Sequence, residues 1–312
     1  YTVSALAGGG LLVLRIPMAW RLLGLPLVAP LFLWQPARPA PGAFELLAAD
    51  IGQGNAVLVR TRSHALLYDT GPRYSRETDA GHRVIVPLLR ALDVRLDLLM
   101  VSHRDSDHSG GAGAVRAQHP GARFLGSAVE AIDAPAGLAS GERCQAGQGW
   151  TWDGVRFELL HPAPADYGRG LKPNALSCVL RITAADGTTA LLTGDIEVAQ
   201  ERQLLSPAAD GQPAPELKAD LLLMPHHGSR TSSSEAFLDA VAPRIAWVQA
   251  GYRNRYGHPV AEVAARYHRR GVQWVESARC GAAVWRSDRP QRVDCERDRA
   301  RRYWHHRLPA TD

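Results

Sequence analysis

From Phe44 onward the hydrophobic positions fall in short runs that each end on a polar loop: FELLAAD, AVLVRT, HALLYD and LDLLMVS, then VRFELLH, LSCVLRI, TTALLTGD, ADLLLMP and RIAWVQAG. Runs of this length with such boundaries predict β-strands. Apolar spacings of three and four predict helices over residues 84–92, 113–118, 197–205, 233–241 and 260–270. Asp186-Gly187 between LSCVLRI and TTALLTG marks a hairpin turn. Hairpins mixed with helices, rather than strict strand–helix alternation, predict a layered α+β body of two sheets with helices outside.

The two ends break this pattern. The first 34 residues are almost entirely apolar, with Arg15 and Arg21 as their only ionisable side chains. The uncharged start rises only about 21 Å as a helix, and Pro26 and Pro30 are expected to break the second half. Neither half reaches the roughly 20 residues of a membrane span, so the segment reads as the end of a larger membrane region. A buried amphipathic helix is the alternative. A Pro-rich linker, QPARPAPG, follows, which gives expected domains of 1–42 (membrane-associated end and linker), 43–286 (folded body) and 287–312 (basic tail). The tail interleaves arginines with rings, and Arg297, Arg301, Arg302 and Trp304 are its candidate DNA contacts, through phosphate neutralisation and base stacking. A solvated helix paired internally by Asp294, Glu296 and Asp298 is the other reading.

Composition narrows the class. With 46% hydrophobic residues and a net charge of +5, the chain is neither disordered nor low in complexity. Lys172 and Lys218 are the only lysines, so the positive charge sits on guanidinium groups, a bias that GC-rich coding would also produce. The cysteines are Cys144, Cys178, Cys280 and Cys295, none of them in a short metal-type pair. Cys280 and Cys295 flank a predicted strand and turn and suit a disulfide in an oxidising compartment.

Acids and histidines collect at the strand ends. Asp69 follows HALLY, Asp195 follows TTALLTG, and His226 and His227 follow ADLLLMP. His103, Asp105, Asp107 and His108 crowd into SHRDSDHSGG, where the charges repel one another unless cations are present. His103 and Asp105 lie on an extended loop and point to one side, while Asp107 and His108 turn into the next helix. The segment can therefore serve two adjacent ions about 3.5 to 4 Å apart. A closed structural zinc site fits less well, because no thiolates are nearby.

The series Asp69-Thr70-Gly71, His103-x-Asp105-x-Asp107-His108-x-Gly110-Gly111, Thr193-Gly194-Asp195 and Pro225-His226-His227-Gly228-Ser229 resembles the metallo-β-lactamase fold. DIGQGN, NALSCVL and PHHGS further resemble the C-terminal domain of the ComEC family of DNA-uptake channels, over residues 44–286. The resemblance implies a four-layer αββα sandwich preceded by a membrane-associated segment. It implies that Asp195 bridges two divalent ions, His103 and Asp105 hold one, and Asp107, His108 and His226 hold the other, with His227 competing for the place of His226. It gives Asp107 and His258 catalytic roles, His258 as a ligand or a contact to the leaving group, and Asp69 an orienting one. The sequence departs from the pattern in three places. Asp105 stands where most members have His, Asn174 and Ser177 occupy the stretch where a further His is expected, and Asn55 replaces an Asp. A carboxylate in place of imidazole shifts preference toward manganese or magnesium, with zinc still possible.

By the same resemblance the chain acts in DNA uptake in natural transformation. It would hydrolyse phosphodiesters of the non-transported strand, on the periplasmic side of the inner membrane. Its partners would be DNA, single-stranded or being unwound, the channel portion of the same protein and other competence proteins. Two alternatives remain: a non-catalytic module that guides DNA, or a hydrolase of small esters on the same fold.

Overall fold

The computed structural model of the chain describes residues 2–33, 37–131, 140–207, 211 and 213–303. It divides into two units, Tyr1–Ala37 and Arg38–Asp312. The smaller unit is helical, with α1 (Thr2–Val13), α2 (Met18–Leu22) and α3 (Gly24–Leu33). Pro26 and Pro30 do not break α3: Pro26 lies in its first turn, where the missing N–H has no partner to lose, and Pro30 is accommodated inside it. α1 and α3 touch backbone to backbone, since a Cβ added at Gly24 would stand 2.5 Å from the Gly8 carbonyl oxygen. Arg21 closes the pair by donating from Nε and Nη2 to the Leu12 carbonyl, at 2.9 and 2.6 Å. Val3, Leu6, Phe32 and Leu33 remain largely exposed. No described helix is long and apolar enough to cross a membrane.

The larger unit contains two sheets. Its strands are β1 (Glu45–Ala48), β2 (Val57–Arg60), β3 (Ala65–Tyr68), β4 (Leu98–Val101), β5 (Arg123–Gly126), β6 (Glu142–Arg143), β7 (Gly149–Trp152) and β8 (Val155–His161). They continue with β9 (Val179–Thr183), β10 (Thr189–Leu192), β11 (Leu221–Leu223), β12 (Ile245–Val248), β13 (Gln273–Glu276), β14 (Ala283–Arg286) and β15 (Val293–Cys295). The first sheet runs β15-β14-β1-β2-β3-β4-β5-β6, and the second runs β13-β12-β11-β10-β9-β8-β7.

Unbroken apolar runs are needed because the central strands are covered on both faces. Alternate residues of β4 show it: Leu98 and Met100 enter the core between the sheets, while Leu99 and Val101 turn to the helix side. In the second sheet, Leu221 and Leu223 face the shared core and Leu222 faces outward. Val86 and Leu89 of α4 (Val86–Ala91) and Val115 of α6 cover the first sheet; α5 (Ser106–Ser109) and α6 (Ala112–Gln118) follow β4. Leu204 of α7 (Val198–Leu204), Phe237 and Leu238 of α8 (Glu235–Val241), and Val263 and Tyr267 of α9 (Ala261–Arg269) cover the second. Helix, sheet, sheet and helix thus form the expected layers.

The segment expected as a tail from residue 287 begins inside this body. β15 pairs antiparallel with β14 and leads into α11 (Glu296–Arg299). Cys295 is bonded to Cys280 at the end of α10 (Ser277–Cys280). A second disulfide, Cys144–Cys178, joins the segment after β6 in one sheet to the segment before β9 in the other.

Parallel pairing places the chemistry. β3 pairs parallel with β4, and β10, β11 and β12 pair parallel in turn. The carboxyl ends of parallel strands open toward one edge, where loops rather than ladder partners follow. Asp69, the 102–108 loop, Asp195, the 225–228 turn and the 251–259 loop all begin at such ends.

Candidate metal centre

Three turns aim the site residues. Asp69 takes a left-handed backbone (φ 59°) immediately after β3, and His226 and His227 take it in succession (φ 49° and 54°) after β11. Side chains other than glycine hold this conformation at a cost of about 1–3 kcal/mol each, and such strain persists where surrounding contacts fix it. Gly228 completes the turn, because a Cβ there would lie 2.5 Å from Pro259 Cβ. Gly54 is equally constrained: its φ is 120°, and a Cβ would fall 2.0 Å from the Asp107 carbonyl oxygen.

Four side chains converge. Ligand atoms of Asp107, His108, Asp195 and His227 all lie within 4.8 Å of one another. His108 Nε2 is 3.2 Å from His227 Nε2 and 3.2 Å from Asp195 Oδ1. His227 Nε2 is 3.5 Å from the same oxygen and 3.4 Å from Asp107 Oδ2. Both imidazoles are anchored from behind. His108 Nδ1 donates to Asp69 Oδ2 at 2.8 Å, and His227 Nδ1 donates to the Gln249 carbonyl at 2.9 Å. Each Nε2 therefore presents its lone pair to the centre, the usual arrangement of a ligating histidine. Asp69 is in turn fixed by Ser102, whose N–H and hydroxyl donate to it at 2.6 and 2.8 Å.

The residues fit a divalent ion. His103 Nε2 is buried without a hydrogen-bond partner, and the buried Asp195 Oδ1 has only His108 Nε2, at 3.2 Å, and His227 Nε2, at 3.5 Å, facing it. A cation is the simplest partner for such buried donor atoms. Burial opposes charge on His108, yet Asp195 and Asp69 hold its pKa well above the ordinary value. Burial likewise works against Asp195, but His108 and His227 hold its carboxyl far below the usual range. In Asp107 too, burial is outweighed by the hydrogen bond from His227 and the field of His108, which lower its pKa. The cluster has the charge balance of a site that exchanges a proton for a metal.

A second set lies beside the first. His103 Nε2 is 3.7 Å from Asp105 Oδ2, and burial together with His108 pushes the His103 pKa down to about 3, leaving it neutral. His103 Nδ1 faces the Ser102 and Ser177 hydroxyls at 3.0 and 3.4 Å, and Ser177 Oγ also accepts the Asp195 N–H at 3.1 Å. Asp105 occupies the N-cap position of α5 but makes no capping bond, and burial and Asp107 raise its pKa. Among the described residues no third ligand atom converges here as closely as in the first set.

Of the two competing histidines, His227 is the one gathered with Asp107, His108 and Asp195. His227 joins Asp107 and His108, whereas His226 Nε2 stands 3.6 Å from the other Asp195 oxygen, Oδ2, and 3.4 Å from Asn174 Nδ2. The consecutive left-handed residues send the two rings to different sides of the turn. Thr231 and Glu197, both missed in the sequence, hold His226 Nδ1 at 3.3 and 3.4 Å; an acid two residues after Asp195 was the available signal for Glu197. Gln249 was also missed, because it acts on His227 through its backbone carbonyl, which no side-chain pattern reports. Asn55 is buried with both side-chain polar atoms unpartnered, and its N–H donates to the Asp107 carbonyl at 3.1 Å.

His258 meets His226 edge to face, with ring centroids 5.9 Å apart. Burial, then His226, lowers its pKa, and its Nδ1 has no partner. Of the expected DNA contacts, Arg297 donates to Asp50 at 2.9 Å, Arg301 and Arg302 are exposed, and Trp304 lies outside the described residues.

Residues 49–252 match the Metallo-beta-lactamase superfamily. The chain is 39% identical over 234 residues to Competence protein ComA of Neisseria gonorrhoeae, covering 75% of this chain and 31% of that protein. It is 32% identical over 297 residues to Uncharacterized protein YcaI of Escherichia coli (strain K12), covering 92% and 36%. Recombination protein 2 of Haemophilus influenzae is 33% identical over 229 residues, covering 70% and 26%. The chain spans about a third of the length of these relatives. Among solved structures, YhfI from Bacillus subtilis aligns with a TM-score of 0.50 at 13% identity, over 78% of this chain and 99% of that one. Igni18 from Ignicoccus hospitalis aligns with a TM-score of 0.50 at 17% identity, over 77% and 98%. These two share the fold.

Proposed function

We propose that this chain, which belongs to the metallo-beta-lactamase superfamily, hydrolyses phosphodiester bonds of DNA during its uptake by the cell. The convergence of Asp107, His108, Asp195 and His227 around one point carries the reading, and the naming of a relative as a competence protein supports DNA as the substrate. Asp107, His108, Asp195 and His227 would hold one divalent ion, and His103 and Asp105 would supply ligands to a second. Bound divalent ions make a nucleophile available from water at neutral pH and balance charge that develops on a phosphoryl group.

The residues divide the remaining work. Asp107, ionised well below neutral pH, is a poor proton acceptor and instead orients a water by accepting its hydrogen bond. His258 bears an unpartnered Nδ1 beside His226, so it is the group to hydrogen-bond the leaving oxygen, whose proton comes from the water consumed in hydrolysis. Asp69 keeps the tautomer of His108, and Ser177 and Asn174 position His103, Asp195 and His226. A carboxylate at Asp105 favours manganese or magnesium over zinc.

Two disulfides support an oxidising, periplasmic setting. The apolar helical unit supports attachment to an inner-membrane channel portion of a longer protein, with other competence proteins as partners. The sparse ligand set at His103 and Asp105 favours one rival, a module that guides DNA without cutting it. Purified chain with manganese, magnesium or zinc decides between them: nucleotide release by the wild type and not by His108→Ala is expected. DNA binding with no cleavage under any of the three ions would establish the guide instead.

A further inference from the structure

The loop after β12 reads Gly-Tyr-Arg-Asn-Arg-Tyr-Gly-His-Pro over residues 251–259. Outside the small helical unit, the large hydrophobic side chains exposed among the described residues are tyrosines, Tyr74, Tyr252, Tyr256 and Tyr303. Two of them stand on this loop, with Tyr252 46% and Tyr256 51% exposed. Each carries its own guanidinium, Arg253 5.3 Å over the Tyr252 ring and Arg255 4.8 Å over the Tyr256 ring. Arg255 Nη2 also donates to the Tyr256 hydroxyl at 2.6 Å.

The loop has a fixed shape. Asn254 spans it, donating from Nδ2 to the Gly251 and His258 carbonyls at 3.0 and 2.6 Å and accepting the His258 N–H at 2.9 Å. The Gly251 N–H donates to Gln53 Oε1 at 3.2 Å, which ties the loop to the segment that holds Asp107. From Tyr256 the rings lead inward: its centroid is 5.6 Å from His258, which stands beside His226 and the metal centre. The cleft bordering the loop is lined by Trp274, Glu276 and Arg279 as well, and Glu276 faces Arg279 at 3.9 Å.

Exposed aromatic faces with flanking cations suit a strand whose bases are unstacked, because every base has a π-face and every linkage a negative charge. A duplex keeps its bases inside and cannot use the rings. We propose that Tyr252 and Tyr256 stack the bases of single-stranded DNA, with Arg253 and Arg255 on its phosphates, so that the backbone passes His258 into the metal centre. This rests on the phosphodiester reading of that centre and supplies its substrate form.

The test separates binding from cleavage. The full chain in detergent, with chelator present, is titrated against a fluorescent oligothymidylate of about twelve nucleotides. Tyr252→Ala and Tyr256→Ala should each weaken binding about 5- to 150-fold, and the Tyr→Phe variants by no more than about twofold. Arg253→Gln and Arg255→Gln should each lower the slope of log affinity against log salt by about 0.7. Single-strand affinity that stays within about twofold in both Tyr→Ala variants, or a wild type that binds no oligonucleotide, overturns the proposal. Hydrolysis of a small aryl phosphodiester by the wild type with manganese reports on the metal centre separately. Strand binding lost with the tyrosines, but no hydrolysis of any diester, would uphold the platform and refute the nuclease.

Discussion

His226 and His227 are neighbours in sequence with different surroundings, and substitution should separate them. His227 faces His108, Asp107 and Asp195 Oδ1, so His227→Ala should lose bound metal and about a thousandfold or more in turnover. His226→Ala, which removes a ring from the opposite oxygen, should keep the ion held by Asp107 and His108. Metal content by elemental analysis of the two variants checks this, and equal losses would contradict it. Titration gives a second expectation. Asp195 and Asp69 raise the His108 pKa, so in the metal-free protein the proton contributes stability that is complete below about pH 6.5 and is lost as pH rises through the folded value. A metal must displace that proton, so the gain in Tm on adding manganese should be larger at about pH 8.5 than at about pH 6. An equal or smaller gain at the higher pH would argue against His108 as a ligand. The residue types that gather in the cluster were legible as acids and histidines at strand ends. Which of two adjacent histidines enters the cluster was not, because it depends on consecutive left-handed backbone angles rather than on residue type.

At the scale of elements, the Cys144–Cys178 bridge crosses from one sheet to the other and ends beside Ser177, whose hydroxyl accepts the Asp195 N–H. The bridge closes a sequence separation of 34, for which chain entropy gives about 3–4 kcal/mol. Cys144→Ser/Cys178→Ser should lower Tm accordingly and weaken metal binding at the same time. Calorimetry with and without manganese measures both, and a variant with unchanged Tm would show that the sheets do not depend on the crosslink. Central strands such as β4 and β11 were legible because burial on both faces demands an unbroken apolar run. β14 was expected between Cys280 and Cys295, whereas β13 and β15 escaped notice, since they are short and place Gln273, Glu276 and Asp294 among their apolar residues. The helix expected over 84–92 instead begins as a π-type turn at Gly81–Ile85, where Gly81 presses against Gly111.

Across the molecule, two sheets bring the carboxyl ends of β3 and β4 opposite those of β10, β11 and β12, and the charged loops that follow meet over one buried carboxylate. A net charge of +5 carried mainly by arginine favours a polyanionic substrate without specifying it. Asp195 is the residue on which the site turns, with one oxygen facing His108 and His227 and the other facing His226. The most direct measurement is cleavage of single-stranded DNA by wild type and Asp195→Asn across a manganese titration, with circular dichroism to verify the fold. Metal-dependent cleavage by the wild type and a loss of about a thousandfold or more in the folded variant are predicted. Cleavage that is undiminished in Asp195→Asn, or that proceeds equally in chelator, would contradict a metal centre built on this carboxylate.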